Sequence, residues 1–147
     1  MTEEKKPILA LFYCQRTPES NESIRHELED KFKGSIRLFP LPCSGRLESL
    51  HLLRALEEFA DAAYIITCPE GACRYFEGNR RAMKRVEMAQ DILNVIGLEK
   101  ERAGIVANDK NDLKTLSVLA EEIKKQTEQF GLSPVHAKSS MDKAHAA

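Results

Sequence analysis

Hydrophobic and polar positions alternate along the chain in four blocks, each an apolar run followed by apolar residues at helical spacing. The apolar runs predict four strands, at residues 8–13, 36–41, 63–67 and 103–107. The segments after them have an apolar residue at every third or fourth position, which predicts four amphipathic helices. The apolar residues that define these helices are Ile24, Leu28 and Phe32; Leu53, Leu56 and Phe59; Met83, Val86, Leu93 and Ile96; and Leu113, Leu116, Ala120 and Ile123.

Capping residues set the predicted helix boundaries. Thr17 followed by Pro18 predicts an N-cap with proline at the first helical position. Gly34, Gly97 and Gly131 follow the last apolar position of three predicted helices, where glycine commonly ends a helix.

Alternation of strands and helices predicts an α/β fold, a parallel four-stranded sheet with helices on both faces. The expected strand order is the flavodoxin-like 2-1-3-4. A chain of 147 residues has room for a single domain. We expect residues 1–131 to form that domain, and the polar, alanine-rich residues 132–147 to form a mobile C-terminal tail.

Composition and charge argue against nucleic-acid-binding, membrane-spanning and secreted proteins. The chain has 22 basic and 23 acidic residues and a net charge of −1, which argues against a nucleic-acid-binding protein. Its longest apolar run, residues 8–14, is too short to span a membrane, and the charged N-terminus differs from a signal peptide. We expect a cytoplasmic protein, in which four cysteines are unlikely to form structural disulfides.

The four cysteines fall near the ends of predicted strands. Cys14 and Cys68 follow strands 1 and 3, Cys43 follows strand 2, and Cys73 lies in the loop after Cys68. In a parallel sheet of order 2-1-3-4 all four positions lie at the carboxyl edge, where such folds bind ligands. Four thiolates there would suit an iron–sulfur cluster or tetrahedral zinc.

Packing is the alternative explanation, because cysteine is a common core residue. It suits Cys14 or Cys68, each beside a buried strand, better than Cys43 or Cys73, which lie in loops. Cations in the same connections would stabilise an anionic cluster, or they are simply solvated, which suits Arg80 and Lys84 better than Arg46 in its tight loop. Those cations are Arg16, Arg46, Arg74, Arg80, Arg81, Lys84 and Arg85.

The sequence has no dinucleotide-binding or P-loop motif, and its histidines lie far from the cysteines in sequence, so a catalytic acid–base pair is not evident.

Three short motifs carry a family resemblance. They are C-S-G-R at residues 43–46, C-P-E-G-A-C-R-Y at 68–75 and G-N at 78–79, followed by a basic helix with Arg85. Together they closely resemble the hydrogenase iron–sulfur subunit family, to which the delta subunit of methyl-viologen-reducing hydrogenase belongs. The resemblance covers about residues 7–130.

The resemblance implies a non-catalytic electron-transfer subunit with a [2Fe–2S] cluster. Its expected partners are a heterodisulfide-reductase-like flavoprotein subunit on one side and a hydrogenase or dehydrogenase subunit on the other. The implied metal ligands are Cys14, Cys43, Cys68 and Cys73, and the implied cofactor-binding residues are Arg46, Tyr75 and Asn79.

One position departs from the family pattern. The family usually has C-x-x-C at the end of strand 1, whereas here Cys14 is followed by Gln15, Arg16 and Thr17. Four of the usual five cysteines remain, which is enough for a cluster only if all four are ligands. Two alternatives stay open: a structural adaptor subunit that has no cluster, and a thiol-redox or zinc-binding domain.

Overall fold

A parallel sheet lies at the centre of the computed structural model, which describes residues 6–69 and 78–135. Within these residues the sheet has four strands in the order β2-β1-β3-β4, and every neighbouring pair is parallel. The predicted fold class and strand order are therefore confirmed. The strands are β1 (Leu9–Cys14), β2 (Ile36–Leu41), β3 (Ala62–Thr67) and β4 (Ala103–Ala107). The α-helices are α1 (Glu22–Lys31), α2 (Ser49–Glu58), α3 (Gly78–Val95) and α4 (Leu116–Glu128).

Helices cover both faces of the sheet, which explains why the central strand β1 is apolar throughout. Alternate residues of β1 enter two separate cores, because successive side chains of a strand point to opposite faces. On one face Ala10 and Phe12 pack with α2 and α3 residues such as Leu56 and Leu93. On the other face Leu9, Leu11 and Tyr13 pack with Leu28, Leu119 and Ile123 of α1 and α4.

The predicted N-cap at Thr17 is wrong. Helix α1 begins at Glu22, and the N-cap is Asn21, whose Oδ1 accepts a hydrogen bond from the Ile24 amide at 2.9 Å. The Thr17 hydroxyl instead donates to the carbonyl of Cys14 at 2.7 Å. The threonine–proline pair therefore belongs to the loop after β1.

Three residues that the apolar spacing predicted on buried helix faces lie at the surface. Leu113 precedes α4, whose N-cap is Thr115, and it is 57% exposed. Met83 and Ile96 were expected on the buried face of α3 but are 50% and 62% exposed. The buried positions of α3 include Val86 and Leu93, as expected, together with Ala82 and Ala89.

Arg102 joins the amino edge of the sheet to the chain after α4. Its side chain is buried and donates to the carbonyl oxygens of Asp61, Phe130 and Gly131 at 2.9, 2.7 and 3.1 Å. Asp61 Oδ1 in turn accepts the amide of Ser133 at 2.7 Å, and Ser133 is buried. The packed structure thus reaches Ser133, two positions into the segment predicted as the tail.

Residues 136–147 lie outside the described residues, so the mobile tail stays a prediction. Among the helices of the described residues, none combines the length and the apolar character needed to cross a membrane.

Candidate functional site

Three cysteines lie at the carboxyl edge of neighbouring strands. Cys14 is the last residue of β1, Cys68 directly follows β3, and Cys43 lies two residues beyond the end of β2. The register pairs Cys14 with Leu41, the last residue of β2, and Tyr13 with Ile66 of β3, so Cys68 lies one residue and Cys43 two residues beyond the positions opposite Cys14.

Cys14 and Cys68 bring their sulfur atoms together. Their Sγ atoms are 3.7 Å apart; Cys14 is buried and Cys68 is partly exposed. Two thiolates on one tetrahedral metal, with bonds of about 2.3 Å, are separated by about 3.8 Å. The pair therefore has the spacing of two ligands of one metal ion, and the same spacing also fits a reduced dithiol.

Cys43 is buried and caps a short 3₁₀ turn formed by Ser44–Arg46. Its Sγ accepts a hydrogen bond from the Gly45 amide at 3.4 Å. Amide hydrogen bonds to a cysteine sulfur favour the thiolate and influence the potential of a bound cluster. The side chain of Arg46, at the end of this turn, is exposed.

Asn79 connects the loops that carry Cys43 and Cys68. Its Nδ2 donates to the carbonyl oxygens of Cys68 and Pro69 at 2.7 and 3.3 Å. Its Oδ1 accepts the hydroxyl of Ser44 at 3.1 Å. Asn79 thus fixes the first turn of α3 against both cysteine loops, a contact that positions the thiols.

Arg85, six residues farther along α3, also binds the backbone of the Cys43 loop. Its Nη1 donates to the carbonyl oxygens of Gly45 and Leu47 at 2.7 and 2.6 Å. Glu48 lies 3.7 Å from the same nitrogen. Asn79, through Ser44, and Arg85, through two carbonyl oxygens, therefore both hold the loop after β2 against α3.

Thr17 lies three residues after Cys14, at the position where the resemblance implies a second cysteine. It is buried, and both its hydroxyl and its amide donate to the carbonyl of Cys14, at 2.7 and 2.9 Å. The residue closes the turn after β1 and keeps the backbone of Cys14 in place.

Open clefts adjoin the thiols. One of about 470 Å³ is lined by Cys43, Arg46, Glu48, Arg81 and Arg85, and is rich in cations. Another, of about 220 Å³, lies between the loops after β1, β3 and β4. Residues that line it include Arg16, Thr17, Cys68, Asn108 and Lys110.

The charged side chains that line the two clefts are mainly cations: Arg16 and Lys110 at one, and Arg46, Arg81 and Arg85 with the single carboxylate of Glu48 at the other. Tyr13, the residue before Cys14, packs in the core on the face of α1 and α4, where burial raises the pKa of its phenol above the ordinary value.

Two predicted site residues, Cys73 and Tyr75, lie outside the described residues. Within residues 6–69 and 78–135, no group of three or more histidine, cysteine or acidic side chains is close enough to hold a metal ion. The four-cysteine ligand set therefore stays a prediction. The sequence did not predict the hydrogen bond of Ser44 to the Asn79 side chain, nor those of Asn79 and Arg85 to loop carbonyl oxygens, because no local pattern indicates a side chain that reaches a distant segment.

Comparison with known proteins points to one family. The family described as methyl-viologen-reducing hydrogenase, delta subunit, matches residues 9–131. The vhc F420-non-reducing hydrogenase iron-sulfur subunit of Methanococcus voltae is 34% identical over 102 residues, which are 69% of this chain and 71% of that protein. The vhu iron-sulfur subunit of Methanocaldococcus jannaschii is 24% identical over 131 residues, 89% of this chain and 98% of that protein.

A second kind of relative is much longer than this chain. It is a subunit of the ferredoxin/F420H2-dependent CoB–CoM heterodisulfide reductase of Methanosarcina acetivorans, and it is 24% identical over 125 residues. The match covers 85% of this chain but 16% of that protein. A region similar to this chain is thus part of a larger polypeptide there.

Proposed function

The chain belongs to the methyl-viologen-reducing hydrogenase delta subunit family, and from this we propose that it is an electron-transfer subunit with a [2Fe–2S] cluster. The observation that supports the cluster most directly is the 3.7 Å separation of the Cys14 and Cys68 sulfur atoms. Cys43 lies on the neighbouring strand end at the same edge. The cluster would be held by these three cysteines and by Cys73, and it would take up and release one electron at a time.

The other residues of the site have positioning roles in this proposal. Asn79 and Arg85 hold the loops of Cys68 and Cys43 through backbone carbonyls. The Gly45 amide donates to the Cys43 sulfur, which favours its thiolate form. Arg46 adds positive charge that offsets an anionic cluster. We assign no substrate chemistry to the chain itself, since cofactor proteins leave that chemistry to the cofactor and the partner enzymes.

The relatives support a place in a redox complex. The iron-sulfur subunits of F420-non-reducing hydrogenases favour a hydrogenase or related dehydrogenase as one partner. The heterodisulfide reductase polypeptide that contains a similar region favours a flavoprotein of that kind as the other. In that polypeptide the similar region is covalently joined to the rest of the reductase subunit, which favours contact between the two kinds of protein. Electrons would then pass through this chain from one partner to the other.

Iron and sulfide analysis tests the cluster. The full chain would be purified and reconstituted anaerobically, and its absorption and reduced-state electron paramagnetic resonance spectra recorded. We expect about two iron and two sulfide ions per chain. Single replacement of Cys14, Cys43, Cys68 or Cys73 by serine should sharply lower the iron content. The matched control is Thr17→Ser, which keeps the hydroxyl that binds the Cys14 carbonyl and should leave the iron content unchanged.

The second candidate function is a structural adaptor of the same complex, without a cluster. Thr17 favours it, since the resemblance implies a cysteine at this position and the Thr17 hydroxyl already binds the Cys14 carbonyl. The adaptor is supported, and the electron carrier rejected, if wild-type protein takes up no iron even with its partner subunits present.

A further inference from the structure

One side of α3 carries apolar residues that the fold does not cover. Met88, Ile92 and Val95 are 58%, 40% and 84% exposed, and Ile96, just after the helix, is 62% exposed. Their spacing of three to four residues places them on one side of the helix, away from Val86, Ala89 and Leu93 in the core. An exposed apolar strip of this kind commonly marks a surface that binds another protein.

The same side of α3 is cationic in its first half. Arg80 and Lys84 precede Met88 by eight and four residues, so they continue the strip toward the cysteines. Arg46 and Arg81 add positive charge at the cleft beside Cys43. Among residues 6–69 and 78–135, no acidic side chain forms an ion pair with Arg46, Arg80 or Lys84. This charge is local, since the chain as a whole has a net charge of −1.

We propose that this strip, which we call the α3 strip (Arg80, Lys84, Met88, Ile92 and Val95), is the docking surface for the heterodisulfide-reductase-like partner. The proposal rests on the function proposed above. The partner surface would carry acidic side chains opposite Arg80 and Lys84 and an apolar patch opposite Met88, Ile92 and Val95.

The position of the strip supports this occupant. Asn79 and Arg85 bind the loops of Cys68 and Cys43, so the cationic end of α3 lies beside the thiols. A partner with acidic groups at that end would bring its own redox centre close to the cysteines. Opposite charges would speed its approach, and the apolar half would supply most of the affinity.

Binding measurements with charge and polarity variants test the strip. The probe is the purified heterodisulfide-reductase-like flavoprotein subunit of the source organism, immobilised anaerobically and titrated with the full chain at low and high salt. We expect Val95→Asp and the double variant Arg80→Glu/Lys84→Glu to raise Kd by about tenfold or more. The double variant should also lose much of the salt dependence.

Matched controls lie on α4, on the opposite face of the sheet. Val118 is also exposed, at 43%, and Lys125 is an exposed cation. Val118→Asp and Lys125→Glu should change Kd by less than about twofold. Circular dichroism of each variant would verify that the chain is folded.

The outcomes separate this proposal from the proposed function. If wild type contains iron but the α3 variants bind as tightly as wild type, the docking surface is wrong and the electron carrier stands. If the chain contains no iron and its binding still depends on the strip, the docking surface stands and the electron carrier is wrong. Absence of binding by wild type, or a strip that serves only to pair two copies of this chain, would overturn the docking proposal.

Discussion

Asn79 donates a 2.7 Å hydrogen bond from Nδ2 to the carbonyl of Cys68, eleven residues earlier in the chain. The same side chain accepts the hydroxyl of Ser44, which directly follows Cys43. One amide thus fixes the spacing between two loops that each carry a cysteine. It accounts for an asparagine at the start of α3, where the helix would otherwise accept many residues.

Replacing Asn79 by alanine should loosen both cysteine loops. The loss of three partly buried hydrogen bonds predicts a decrease of about 1–3 kcal/mol in the free energy of unfolding. In reconstituted protein we also expect faster loss of iron to a chelator. Denaturant unfolding and timed iron release measure the two effects. Asn94→Ala, an exposed position on the same helix, is the control; an equal effect there would contradict the positioning role.

Arg85 should matter for the Cys43 loop specifically. Arg85→Met removes the bonds to the carbonyl oxygens of Gly45 and Leu47 but retains much of the apolar stem. We expect faster amide hydrogen exchange at Arg46 and Leu47, whose amides close the turn after Cys43. Exchange in the core of β1 should be unchanged. Arg54→Met, at an exposed position of α2, should leave the exchange of this loop as in wild type.

The sequence predicted the sheet well because the signals were local. The four apolar runs and the helical spacing between them are properties of short segments, and the parallel order follows from their alternation. The strand ends then located Cys14, Cys43 and Cys68 at one edge. Periodicity was less reliable for helix faces: Met83 and Ile96 fit the apolar spacing but are exposed.

Long-range contacts could not be predicted from spacing. Thr17 followed by proline matched a helix start, yet the hydroxyl binds the Cys14 carbonyl and Asn21 caps α1. Asn79 was identified through the family motif alone, with no indication that it would bind Ser44 and Cys68. The Asn79 bonds depend on how separate segments meet in three dimensions, whereas the bonds of Thr17 and Asn21 each span three residues and are local.

Arg102 should make a large contribution to stability. Its buried guanidinium binds carbonyl oxygens at the start of β3 and after α4, and Glu99 at the surface. Arg102→Met leaves these carbonyl oxygens without a donor, which predicts a decrease of about 3 kcal/mol in the free energy of unfolding. Urea denaturation followed by circular dichroism measures it. Lys100→Met, at an exposed position of the same short turn, should cost less than about 0.5 kcal/mol.

The Cys14–Cys68 pair predicts a distinct oxidation product in protein without metal. The sulfur atoms are 3.7 Å apart on adjoining strand ends, so a small side-chain movement would allow an S–S bond of about 2.05 Å. Treatment with diamide should oxidise the two thiols to a disulfide while the diazene is reduced to its hydrazine, with two hydrogen atoms transferred. Peptide mass spectrometry should then identify a cross-link between the peptides of Cys14 and Cys68, with a loss of about 2 Da. Cys43→Ser should form this cross-link at the wild-type rate, whereas Cys14→Ser should not form it.

The same disulfide should block cluster assembly. Iron reconstitution of the oxidised protein should fail until a reductant is added, because the disulfide occupies both thiols. Exclusive cross-linking of Cys43 to another cysteine would contradict the pairing.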